Sequence, residues 1–155
     1  MNPAPAQPVN LTAFSDLDYF VPRPEAETIT GMPVRNPDET KKGAQKLLSG
    51  GIRRVLITLG ANGWLLAGHD GMQHVPAFPV NSIDTTGAGD AFIGSFAVFL
   101  AEGCPELDAV RRANLQGALS TTGIGTQKSF CHHERFDEEW ARRSPACAAG
   151  VPDLS

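Results

Sequence analysis

Cysteine is scarce in this 155-residue chain. Cys104, Cys131 and Cys147 are odd in number and stand at no metal or redox spacing, which argues against a disulfide framework or a thiolate metal site. They read as free thiols of a reducing compartment, the cytoplasm. An excess of positive charge is also lacking: 13 Lys and Arg face 17 Asp and Glu, for a net charge of −4. That balance removes nucleic acid and an anionic membrane surface as principal partners. Long apolar runs are missing. The longest, Ala91–Ala101, is broken by Gly94 and Ser95 and falls well short of the ~20 residues that span a bilayer, so it reads as a buried helix and no membrane partner is expected. The first ten residues, MNPAPAQPVN, have neither a positive n-region nor an apolar h-region, so no secretory signal is expected. No GxxxxGK[ST] is present, which excludes a P-loop. Gly87-Ala88-Gly89-Asp90-Ala91-Phe92 lacks the third glycine of GxGxxG, which argues against a Rossmann dinucleotide site.

What is present is a globular composition, with 41% apolar residues on a chain long enough for one cored domain. Residues 1–10 are rich in Pro and Ala and read as a connection. Residues 144–155 lack periodicity and read as a mobile tail, leaving 1–143 as the domain. Glu25–Thr30 predicts a short helix stopped by Gly31, and Asp38–Ser49 a second helix ending at Gly50-Gly51. Arg54–Thr58, RVLIT, is a β-branched, nearly continuous apolar run, as in a strand buried on both faces. Trp64–Ala67 and Gln73–Phe78 read as strands around a turn at His69-Asp70-Gly71. Ala88–Glu102, Pro105–Thr122 and His132–Arg143 read as helices. This alternation points to α/β layers. Trp64 and Trp140 are expected to pack, and the pairs Arg111-Arg112 and Arg142-Arg143 to lie on solvated helix faces. His132-His133 beside Cys131 lacks ligand spacing and reads as a solvated helix start.

The informative segment is Asp84–Phe92, DTTGAGDAF, which opens the apolar helix. Its glycines permit a sharp turn. The first amides of a helix have no internal partner and, with the helix dipole, form a ready anion site. Asp90 falls in that first turn. A carboxylate repels phosphate, so it makes sense there as the base that takes a proton from a hydroxyl attacking the phosphate. The alternative is a first-turn aspartate favoured only by the dipole.

Asp84–Ser95, DTTGAGDAFIGS, resembles the second signature of the ribokinase/PfkB carbohydrate kinase family. Further stretches match at the same spacing: Asn2–Ala6 (NPAPA), Glu25–Gly31 (EAETITG), Ile57–Gly63 (ITLGANG) and Gly125–Ser129 (GTQKS). The resemblance covers about residues 2–143 and is nearest to ribokinases. It implies an α/β fold, a three-layer ribokinase-like sandwich with helices packed on a mostly parallel sheet. It also implies only the C-terminal, nucleotide-binding half of such a kinase, because family members begin with a Gly-rich sugar-binding half and a small β-sheet lid. The family homodimer uses that lid, which is absent here.

The activity implied is ATP-dependent phosphorylation of a sugar's primary hydroxyl, ribose to ribose 5-phosphate, with ATP as co-substrate, Mg2+ and K+. Asp90 matches the catalytic base, and Gly87, Ala88 and Gly89 match the anion hole. Thr58, Gly60 and Gly63 match the turn that contacts the nucleotide. Asn114 matches the position bordering adenine; a buried amide bonded to backbone is the alternative. Asp84 and Thr86, with Ser120, Gly123, Gly125 and Ser129, match the loops that cage a monovalent cation. Glu25 matches the glutamate that supports magnesium through water, but Pro22 stands where the family's Asn-x-x-Glu motif has asparagine, and proline cannot supply that amide. The other function that fits is a non-catalytic, truncated relative that binds nucleotide or a partner protein.

Overall fold

The computed structural model describes residues 18–19, 25–34, 36–125 and 130–147. The chain forms two compact units that meet in sequence at His74 and Val75. Among the described residues, no helix is long and apolar enough to cross a membrane. Asn2–Ala6, Pro22 and Ser129 lie outside the described residues, as do 148–155 of the expected tail.

The first unit packs two helices on a small sheet. Helix α1 is Glu25–Thr30. Gly31 follows it at φ +64°, a left-handed conformation that only glycine adopts cheaply, and its N–H donates to the Glu27 carbonyl at 2.9 Å. Glu27 reaches past that stop, its Oε1 accepting the Val34 N–H at 2.9 Å. Helix α2, Pro37–Ser49, starts at Asn36, whose Oδ1 accepts the Glu39 N–H at 2.9 Å. Its apolar stripe, Ala44 and Leu47, joins Ala26, Val34, Ile52, Val55, Ile57, Leu65 and Ala67 in one core.

Strands β1 (Arg54–Thr58), β2 (Trp64–Gly68) and β3 (Gly71–Val75) lie side by side in that order. β1 and β2 run antiparallel, with Val55 opposite Ala67 and Ile57 opposite Leu65. The mostly parallel sheet expected from the sequence is therefore corrected. Connection length is the physical reason. Residues 59–63 join β1 to β2 and His69–Asp70 join β2 to β3, whereas a parallel pair needs a crossover of about a dozen residues or more. The continuous apolar character of RVLIT reports burial, and Val55, Leu56 and Ile57 are indeed inaccessible, but burial does not set strand direction. Arg54 and Asp70 close the open end of the sheet with two bonds of 2.7 and 3.2 Å.

The second unit is built on helices α3 (Ala88–Ala101), α4 (Glu106–Ser120) and α5 (His133–Cys147). α5 runs four residues beyond Arg143, into the stretch expected as a tail. Phe78, Leu115, Leu119 and Phe136 form its buried cluster. Trp140 packs beside them, 6.3 Å from both Phe78 and Phe136. Arg112 is not simply solvated: its guanidinium lies over the Trp140 ring at 5.0 Å and the Phe99 ring at 5.7 Å. Arg143 likewise turns inward to the Pro79 carbonyl at 2.7 Å and Glu139 at 2.6 Å. Burial pushes the Cys131 thiol above its ordinary pKa.

α4 comes close to the first turns of α3 at Gly117. A Cβ there would lie 3.2 Å from the Ala88 carbonyl oxygen and 3.5 Å from the Phe92 Cβ. Gly117→Ala would gain about 1 kcal/mol of helix propensity but overpack this contact at a cost of about 1–3 kcal/mol. A net loss of stability is expected in urea denaturation, together with displaced amide resonances over Gly87–Asp90; an unshifted spectrum would show that the contact has slack.

Candidate active site

The start of α3 is shaped by Gly87, which sits at φ +81° and ψ 0° as the residue before the first helical turn. A side chain is strained there, so glycine is what lets the chain enter the helix at this angle. The Gly87 carbonyl accepts the Ala91 N–H at 2.9 Å. The Ala88 N–H is engaged by the Thr85 carbonyl at 3.2 Å, closing the Thr85–Ala88 turn. The Gly89 and Asp90 amides find no acceptor among the described residues. Of the three residues expected to form an anion hole, Gly87 thus supplies the geometry, Gly89 an open donor and Ala88 a donor held by its own turn. The Asp90 side chain is exposed in the same first turn. Open amides at a helix N-terminus favour an anion, and a carboxylate beside them is suited to accept a proton.

Asp84 joins the segment before α3 to the loop after α4. Its Oδ1 accepts the Thr86 N–H at 2.9 Å and its Oδ2 the Gly125 N–H at 3.3 Å. The backbone makes the same junction, since the Ile83 and Asp84 N–H groups both donate to the Thr121 carbonyl, at 2.7 and 3.1 Å. Asp84, Thr86 and Gly125 are therefore brought together. Thr121 acts here through its backbone carbonyl, which no residue type marks in a sequence. The Ser120 hydroxyl is buried and donates to the Gly117 carbonyl at 2.8 Å within its own helix. Gly123 is half-buried in the same loop. Asn114 is buried and its Nδ2 donates to the Pro76 carbonyl at 2.6 Å, so that amide is committed to backbone.

Thr58, Gly60 and Gly63 belong to the first unit. Thr58 ends β1, and its Oγ1 accepts the Gly60 N–H at 3.2 Å. Gly60–Asn62 form a 3-10 turn, with Gly60 at φ +61° and Gly63 at φ +94° and ψ −135°. Glu25 is the first residue of α1.

These features define a class: an α/β protein with open amides at a helix start and an adjacent exposed carboxylate. The pfkB family carbohydrate kinase model matches residues 2–132. The chain is 41% identical over 140 residues to a deoxyribokinase of Salmonella typhi, covering 89% of this chain and 46% of that one. A solved ribokinase of Thermotoga maritima superposes with a TM-score of 0.79 at 36% identity, covering 88% of this chain and 46% of the other. The structure of Arabidopsis thaliana ribokinase complexed with ribose and ATP superposes with a TM-score of 0.80 at 26% identity, covering 85% and 43%. The fold is the ribokinase-like α/β sandwich, and the chain belongs to the pfkB family of carbohydrate kinases. Membership extends over nearly the whole chain, from residue 2 to 132, which corrects the expectation that confined the resemblance to a C-terminal half. The chain spans about half the length of the curated relatives it matches.

The Thr86 hydroxyl, followed by the Thr86 and Gly125 amides, holds the Asp84 carboxyl below the ordinary aspartate range. A depressed folded pKa means that the tie is complete above the unfolded value of about 3.9 and is lost as pH falls through the folded value. In an NMR titration the Thr86 and Gly125 amides should report one acid-side step below that value. Asp84→Asn should erase it; a step that survives the substitution would assign the titration to another group.

Proposed function

We propose that the chain carries phosphoryl-transfer apparatus of an ATP-dependent sugar kinase of ribokinase type, acting on the primary hydroxyl of a pentose, with ribose converted to ribose 5-phosphate. The observation that supports it is the start of α3, where open amides and an exposed carboxylate share the first turn of a 14-residue helix. In this reading the terminal phosphoryl group of ATP lies against the Gly87, Ala88 and Gly89 amides, Ala88 exchanging its turn bond to Thr85 for the phosphate. Asp90 takes the proton of the attacking hydroxyl, and the amides stabilise charge as it spreads over the transferring oxygens. Thr58, Gly60 and Gly63 contact the nucleotide through closely approaching backbone, and Asn114 borders the adenine with its remaining amide hydrogen or its carbonyl.

Two ions fit the residues present to different degrees. At their junction the Asp84 carboxylate is held by the Thr86 hydroxyl and by the Thr86 and Gly125 N–H groups; in this reading that carboxylate, the Thr86 hydroxyl and carbonyls of the adjoining loops would offer oxygen to a monovalent cation such as K+. Ser120, Gly123 and Ser129 would complete it. When bound, that ion would stiffen the Asp84–Gly87 segment. Mg2+ would travel with the ATP phosphates and waters, as that ion prefers, with Glu25 supporting it through water. The setting is cytoplasmic, where ATP and K+ are abundant.

A second reading has its own support. The chain spans about half the length of its relatives, and Pro22 replaces the amide of the magnesium-supporting motif. Both favour a non-catalytic relative that binds nucleotide or a partner protein. The names of the relatives also leave two pentoses in play, since both deoxyribokinases and ribokinases match.

Coupled ADP release with ribose and with 2-deoxyribose, run beside direct ATP binding, separates these readings. Sugar-dependent release supports the kinase and selects the sugar. Saturable ATP binding without release supports the second reading in its nucleotide-binding form, and absence of both removes the kinase and leaves that relative only a partner protein to bind. Where turnover occurs, Asp90→Asn should lower kcat by about 10²–10⁴-fold while ATP affinity stays within a few-fold; an undiminished rate would remove Asp90 as the base. Exchanging potassium for sodium should lower kcat, and an activity indifferent to the monovalent ion would remove the cation cage.

A further inference from the structure

The turn assigned above to the nucleotide is held from outside by a residue with no assigned role. Three bonds close it internally: Leu59 N–H to the Gly63 carbonyl at 2.7 Å, Asn62 N–H to the Leu59 carbonyl at 3.2 Å, and Gly63 N–H to the Gly60 carbonyl at 3.1 Å. A fourth, from Gly60 N–H to Thr58 Oγ1 at 3.2 Å, anchors its start to β1. Two of its residues, Gly60 and Gly63, are glycines at positive φ, so the turn draws on the most flexible backbone available and its fixed shape carries a large entropic penalty. The Asn62 carbonyl takes no part in these four bonds and meets the imidazole Nε2 of His74, on β3, at 2.6 Å. A carbonyl only accepts, so Nε2 carries the proton and donates. His74 is half-buried, twelve residues further along the chain and one strand beyond the β1–β2 hairpin.

We infer that His74 is a positioning residue for nucleotide binding: its Nε2–H latches the Asn62 carbonyl and so presets the Gly60–Gly63 turn in the shape that meets ATP. The latch rests on the reading of that turn as a nucleotide contact. Its physical content is preorganisation. A turn already held in its bound shape loses less conformational entropy when the ligand arrives, and one hydrogen bond to a backbone carbonyl is of the size that shifts an affinity by about 3- to 10-fold.

The test uses two variants of the full chain, chosen so that shape and hydrogen bonding separate. His74→Phe keeps a ring on β3 and removes the donor; His74→Gln keeps an N–H donor without the ring. ATP affinity is measured by calorimetry and the exchange of the Asn62 and Gly63 amides by NMR, with the thermal midpoint as a check on folding. The expected result is that His74→Phe weakens ATP binding about 3- to 10-fold and speeds exchange at the turn, while His74→Gln restores both. ATP binding by His74→Phe equal to that of the parent overturns the latch and leaves the nucleotide reading standing. Equal weakening by both variants also overturns it, because ring shape and not the donor would then be responsible. A parent chain that binds no ATP removes the nucleotide reading instead. The latch is then judged on exchange alone: it stands as a device of the turn if only His74→Phe speeds exchange, and falls if exchange is unchanged.

Discussion

The close approach of α4 to the first turn of α3 is the constraint on which the arrangement of the second unit depends. Gly117 lets the Ala88 carbonyl come within the reach of a missing Cβ, and that contact fixes where α3 begins. α4 then ends at Ser120, so the Thr121 carbonyl is delivered to the Ile83 and Asp84 amides. The Asp84 carboxylate returns the connection to Gly125. One helix pair thereby orders both chain segments that flank the open amides at Gly89 and Asp90. Helices pack at distances set by the side chains between them, and a glycine at the contact moves the second helix close enough for its terminal carbonyl to reach across.

The same economy governs which polar groups are open and which are occupied. Buried amides and hydroxyls in this unit are spent on nearby backbone, as with Ser120 on Gly117 and Asn114 on Pro76. Leaving such groups unpaired in the interior would be costly. Among the described residues the exceptions are the buried Arg112 Nε and Gln116 Oε1, which have no hydrogen-bond partner, while the open donors at the start of α3 are ones to which helix geometry denies an internal partner. Arg112 follows a related logic. Its stem crosses the aromatic cluster, and its guanidinium settles over Trp140 and Phe99, because the rings offer both apolar cover and a favourable quadrupole.

Much of the local structure was legible along the chain. The stop at Gly31, the helix following Pro37 and the strand Arg54–Thr58 appear within a residue or so of their expected limits, because caps, breakers and β-branched runs act on their immediate neighbours. DTTGAGDAF was legible as a glycine-turned helix start for the same reason. Strand direction was not. The apolar run RVLIT is the same whether its neighbour runs parallel or antiparallel, and the five-residue link 59–63 carried the answer. The engagement of Ala88 by Thr85, the junction at Thr121 and the grip of His74 on Asn62 were likewise invisible, since each rests on a backbone carbonyl that every residue type possesses.

The sequence by itself determined the family, the order of helices and strands, and the place of the glycines and of Asp90 at the opening of α3. All of these are written in residue types at fixed local spacing. Only the tertiary structure decided which amides at that opening stay unpaired, that Asp84 binds a loop 41 residues away, and that Asn114 is committed to Pro76. Those outcomes depend on how close two segments come in space, and distance between segments is set by packing, which local residue patterns do not encode.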